Sequence, residues 1–175
     1  RHQLPVIALN APSEVARKVA RTGLESLSLA DRRFIPPRSA IRLEPATYRQ
    51  RIRQIYDEIH QGKGNNTSFE RFFQVQVLWD ETMAERIAQV LREKPTALVV
   101  VLVGQGHVLY GEGIPERVAR RLSGQPGFRQ RSVLLNPAPD PGMSSSGVGG
   151  NQAIADYFWY SQEVPADPKL ESGSG

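Results

Sequence analysis

Apolar positions along the chain fall into two patterns. The first is the short unbroken run. Pro5-Val-Ile-Ala-Leu-Asn10 and residues 96 to 103 are apolar on both faces, which predicts buried strands of a parallel sheet, the second of them central. Residues 131 to 136 and 155 to 160 read as two further short strands. The second pattern is recurrence every three or four residues. After Pro12-Ser13-Glu14 it predicts a helix through Val15 and Val19, ending near Gly23 and Leu24. From Thr47 it runs through Tyr48, Ile52, Ile55 and Ile59. A longer stripe of Phe69, Phe72, Phe73, Met83, Ile87 and Val90 predicts a helix from Phe69 to about Lys94. Thr67 or Ser68 would cap it, and Pro95 would stop it. Ile114-Pro115-Glu116 opens a last helix with Val118, Ala119 and Leu122 inward.

Strands alternating with helices predict an α/β fold: a mostly parallel sheet flanked by helices, with a helical insertion subdomain. The 175 residues suit one domain, read as a fragment of a larger α/β domain. Residues 1–25 supply a strand and helix, 26–94 the helical subdomain, 95–160 the remaining sheet and helices, and 161–175 a disordered tail. Residues 137–151, rich in Pro, Gly and Ser, read as a mobile loop.

Composition narrows the chemistry. The absence of cysteine excludes disulfides, thiolate metal sites and cysteine nucleophiles. The net charge of +4 comes with a crowd of arginines before residue 55, among them Arg38, Arg42, Arg49, Arg51 and Arg53. They are not interleaved with exposed aromatics and no nucleic-acid motif accompanies them, so the charge points to anionic ligands or solubility, with no nucleic-acid partner. No apolar run approaches the roughly 18 to 20 residues of a membrane span. The chain opens on Arg1 without an initiator Met, and so reads as a processed fragment whose targeting signal or membrane anchor would lie outside it.

The best candidate site is Gly104-Gln105-Gly106-His107, directly after the strongest strand and before Gly111-Glu112-Gly113 and the last helix. Ligands bind open α/β sheets at the carboxyl ends of strands, and the two glycines let backbone approach a ligand closely. His107 can bind metal, hydrogen-bond an anion or move a proton. The alternative is a βα loop whose histidine bonds a backbone carbonyl. The glycine spacing fits neither a dinucleotide fingerprint nor a phosphate-binding loop. Gln76 and Asp80 fall among the core positions of the long helix, so they either bind neighbouring backbone or arginine, or face the site as supporting groups. Trp79 beside them is core or pocket wall. His60 suits a helix end, His2 lies at the terminus, and Ser144-Ser-Ser146 reads as loop, since no nucleophile elbow is present.

Several stretches occur in an order that resembles a known family. They are residues 5 to 12 with Val19-Ala-Arg-Thr-Gly-Leu24, Gln76-Val-Leu-Trp-Asp-Glu-Thr-Met-Ala84, Val100-Val-Leu-Val-Gly-Gln-Gly-His107 with Gly113-Ile-Pro115, and Ala155-Asp-Tyr157. Together they resemble the ChaN-like haem-binding family, part of a wider group with Tiki-type metalloproteases and erythromycin-esterase-like proteins. The resemblance implies haem as cofactor, a homodimer around paired haems, and an exported or membrane-anchored protein. It implies a tyrosine on the haem iron, with Tyr110 the candidate beside the glycine loop, and a histidine at the propionates. His107 is the alternative iron ligand, and Gly104, Gly106, Gln76 and Asp80 complete the expected haem-binding set. The family's earlier Gly-Glu-x-His motif is absent from this sequence, so the loop would be half of a site. The wider group implies a rival function, a metal-dependent peptidase or esterase in which His107 helps hold a divalent ion.

Overall fold

A computed structural model describes residues 4–137 and 153–161, apart from 44, 62 and 64. Its elements follow the apolar periodicity closely: helices α1 (Ser13–Thr22), α2 (Leu29–Arg32), α3 (Ala46–His60), α4 (Asn66–Glu93) and α5 (Ile114–Arg121), then strands β1 (Val133–Leu135) and β2 (Tyr157–Trp159). Local chemistry sets their ends. Ser28 and Asp31 form a reciprocal capping box at α2, and Gln61 closes α3 in the left-handed region at φ 48°. The start of α4 corrects the sequence expectation. Asn65 is the cap, its Oδ1 accepting the Ser68 N–H at 2.7 Å, which leaves Thr67 and Ser68 inside the first turn.

Helix α4 is the axis of the molecule. Its first half packs Phe69, Phe73, Val77 and Leu78 against Val15 and Val19 of α1 and Tyr48, Ile52 and Tyr56 of α3. Its second half packs Met83, Ala84, Ile87 and Ala88 against Ile114, Val118 and Leu122 of α5. A third, smaller cluster joins Tyr110 to Leu134, Ile154 and Ala155. Of the predicted stripe positions, Ile55, Phe72 and Val90 are half-buried and Ile59, at the end of α3, is exposed.

The sheet is smaller than expected. Among the described residues it has two strands, β1 and β2, parallel, with Val133 opposite Tyr157 and Leu135 opposite Trp159. Residues 4–10 and 97–103 belong to neither helix nor strand, and neither run joins a ladder. Alternation survives all the same. Val99, Val101, Val103 and Leu9 rest on the α4–α5 cluster, while Leu98, Val100 and Leu102 face outward, Leu98 at 91% exposure. The result is a helix-rich chain with a small parallel sheet; the helix-flanked, mostly parallel sheet of the sequence reading is not present among the described residues. The loop expected at 137–151 and the tail fall almost wholly outside them, as do Ser144-Ser-Ser146.

Candidate functional site

The inward valines deliver residues 97–103 to α4 and end at Gly104, where Gln105–His107 form one tight turn. That turn sets the His107 ring against α4. Asp80, fully buried, meets it: His107 Nδ1 and Asp80 Oδ1 lie 2.5 Å apart. The other carboxylate oxygen of Asp80 accepts the buried Tyr48 hydroxyl of α3 at 2.6 Å. Three elements thus converge on one carboxylate, whose two oxygens are each engaged. The imidazole keeps its outer edge toward solvent, with 21% of the side chain exposed, and Trp79 flanks it edge-on at 6.3 Å between ring centres.

Burial dominates the Tyr48 hydroxyl, and the neighbouring Asp80 charge adds to it; together they hold its pKa far above the ordinary tyrosine value of 10.0. Tyr48 is therefore a proton donor throughout the neutral range. Its ring lies under the guanidinium of Arg117, 4.6 Å away.

The glycines divide into two kinds. A side chain at Gly106 would meet open space, and one at Gly104 would touch only the His107 ring, at 3.8 Å. Both therefore leave room beside the imidazole. Gly113 has none: a Cβ there would sit 2.2 Å from the His107 carbonyl oxygen and 3.1 Å from Asp80 Oδ2. The start of α5 is pressed against the back of the histidine loop, and only glycine permits it.

Other predicted residues lie apart from this centre. Gln76, one turn before Asp80 on α4, is half-buried and is not among the groups that meet this carboxylate. Tyr110 is 8% exposed and held in the left-handed region at φ 56°, its N–H bonded to Ile154 O and its ring covered at 3.5 Å by the Arg51 guanidinium. Arg51 in turn pairs with Glu112 at 2.7 Å. Access to the Tyr110 ring from that face requires Arg51 to move. His60 bonds Tyr56 O at the end of α3, in keeping with a structural part.

Next to Asp80 on α4 stands Glu81, which periodicity does not single out. It is also fully buried, and it is bound by Arg120 at 2.8 Å, Arg121 at 2.6 Å and Arg117 at 3.4 Å, with the Arg42 N–H at 3.0 Å. Spacing alone places Tyr48 among the apolar stripe positions of α3. Its only available signal was a hydroxyl on a face otherwise made of isoleucine.

Among the described residues no three His, Cys, Asp or Glu side chains converge as a metal-holding set, and no helix is long and apolar enough to cross a membrane. Residues 1–118 match the family model described as "Haem-binding uptake, Tiki superfamily, ChaN". The chain belongs to this ChaN haem-binding family. The matched span holds Tyr48, Asp80, His107 and Gly113, so the whole convergence lies inside the family's domain. The chain is also similar to the Arabidopsis thaliana protein named "RETICULATA-RELATED 5, chloroplastic", at 30% identity over 166 residues. That alignment covers 91% of this chain and 22% of the relative. No solved structure matches it.

Proposed function

We propose that this chain is a haem-holding module, and that the haem lies against the loop 104–110 with the free Nε2 edge of His107 turned toward iron. The observation that carries the reading is the engagement of His107 Nδ1 by a fully buried carboxylate, which leaves the other nitrogen at the surface. Histidines that ligate metals commonly have such a partner on their second nitrogen, and imidazole is an established axial ligand for haem iron. The surroundings fit a flat apolar group. Gly106 leaves open space, Trp79 offers an aromatic edge, and Leu98, Val100 and Leu102 present an apolar face on the run that leads into the loop. Bound haem would supply a redox-active iron, while the protein supplies an oriented ligand and a dry face. Tyr110 is the second ligand candidate, reached once Arg51 swings off its ring, and two copies would share the haem face.

Haemin titration followed by the Soret band tests the reading. A saturable red shift is expected that His107→Ala removes and that Tyr110→Phe weakens less. Light scattering on the same samples reads whether haemin moves the 19.5 kDa chain to a dimer. Absence of a Soret shift, or a shift indifferent to His107→Ala, would overturn the assignment.

A further inference from the structure

The proposal above leaves the role of His107 undefined at one atom. A histidine can serve a haem as a hydrogen-bond donor to a propionate or as a lone-pair donor to iron, and the ring nitrogen that carries the proton decides between them. We infer that Tyr48 and Asp80 form a positioning relay that fixes His107 as the Nδ1–H tautomer, so that Nε2 acts as a lone-pair donor and not as a hydrogen-bond donor. The inference rests on the haem reading for its ligand, but the relay belongs to the chain itself and is read without any ligand.

The protons at this centre can be counted. The Tyr48 side chain is buried, with Phe73 and the Arg117 guanidinium against its ring and Asp80 at its hydroxyl. Of these only Asp80 can accept its proton, and the 2.6 Å contact to Oδ2 is that bond. Asp80 has no exposure to water, so its remaining oxygen, Oδ1, must be satisfied within the protein. The group 2.5 Å from it is His107 Nδ1. A carboxylate is acceptor-only, so Nδ1 must carry the hydrogen; in the neutral ring Nε2 is then bare. Gly113 closes the arrangement from behind, because any side chain there would push the His107 backbone off the line of Asp80.

The same count yields a coupled prediction that general destabilisation would not produce. In Asp80→Asn the side chain has one oxygen and one NH2. Tyr48 still needs an acceptor, so it takes the oxygen and turns the NH2 toward His107 Nδ1, which must then accept. The tautomer inverts to Nε2–H. Removing the hydroxyl as well, in Tyr48→Phe with Asp80→Asn, frees the amide to turn its oxygen back to His107, and Nδ1–H returns.

The experiment is 15N-detected NMR of the His107 ring in the ligand-free 175-residue chain, with His60→Gln as background to simplify assignment. Haemin affinity is measured on the same variants. Expected are Nδ1–H in the parent, Nε2–H in Asp80→Asn and Nδ1–H again in the double variant. Haemin affinity should fall about 10- to 100-fold in Asp80→Asn, the usual effect of losing such a partner, and recover part of the way in the double variant. Nε2–H in the parent, or a tautomer that ignores Asp80→Asn, overturns the relay. The expected tautomers without haemin binding by any variant would leave the relay standing and overturn the haem reading alone. Should Asp80→Asn fail to fold, Tyr48→Phe alone must keep Nδ1–H, since the intact carboxylate still accepts; Nε2–H there overturns the relay too.

Discussion

Asp80 and Glu81 are neighbours on one helix, both carboxylates and both fully buried, yet their surroundings differ in kind. Glu81 is ringed by three guanidiniums from α5, which tie α5 to α4. Each of these side chains is a permanent cation, paired with Glu81 and, for Arg120 and Arg121, also with the nearby Glu116 and Glu85. Asp80 has no cationic partner of that sort. It holds a phenol and an imidazole, and the imidazole has a second nitrogen facing outward. A carboxylate saturated by arginine is a staple. A carboxylate that grips one end of a histidine passes its orientation to whatever the other end meets.

Substitution should separate the two. Glu81→Ala strands buried guanidiniums, and a loss of about 3–5 kcal/mol in urea denaturation is expected. Asp80→Asn keeps a hydrogen-bonding group in place and should cost about 1 kcal/mol, with its main effect on haemin affinity. Equal stability losses for the two would erase the distinction.

Gly113→Ala comes next in size. Its methyl group would overlap a backbone oxygen that cannot swing aside, so a loss of about 1–3 kcal/mol is expected, with displacement of His107 visible as weakened haemin binding. Full stability with unchanged haemin affinity would show that the α5 start does not brace the histidine.

Alkali probes the Asp80 side alone. The raised pKa of Tyr48 means that above about pH 10 the unfolded chain releases this proton while the folded chain keeps it. Its share of stability is present below pH 10 and declines above it, at up to about 1.4 kcal/mol per pH unit. Tyr48→Phe should lack this slope when the two denaturation profiles are subtracted. Parallel profiles would mean that the hydroxyl ionises freely in the fold.

The smallest effect lies where α2 meets α1. Bonds from Lys18, and then from the Ser28 hydroxyl and N–H, hold Asp31 down at about 2. Its contribution is present above the ordinary aspartate range and lost as pH falls toward 2. Asp31→Asn should flatten that part of the acid limb in thermal melts and leave haemin binding untouched.

Periodicity made the helices legible, because a helix is a local object: Val15 and Val19, or Phe69 and Phe73, reveal their face by spacing alone. Only the cap at Asn65 shifted, by two residues from Thr67. The glycine–histidine loop was legible too, as glycine next to histidine after an apolar run is uncommon without a reason. Tyr48 and Glu81 were not. Tyr48 lies 32 positions before Asp80 and Glu81 is 36 to 40 positions before its arginines, and one sequence carries no trace of which distant polar group will meet another. Residues 97–103 stand between these cases. Their apolar character on both faces predicted burial on both sides, but the partner that would provide it is a non-local matter.

That run bears on how the protein behaves in a tube. Leu98, Val100 and Leu102 stand open to water on residues whose backbone groups join no ladder, which is the arrangement that recruits strands from other molecules. Loss of soluble protein during storage should therefore rise steeply with concentration at temperatures far below the melting point. A lysine at Val100, on the outward face, is the cheapest way to lengthen its shelf life.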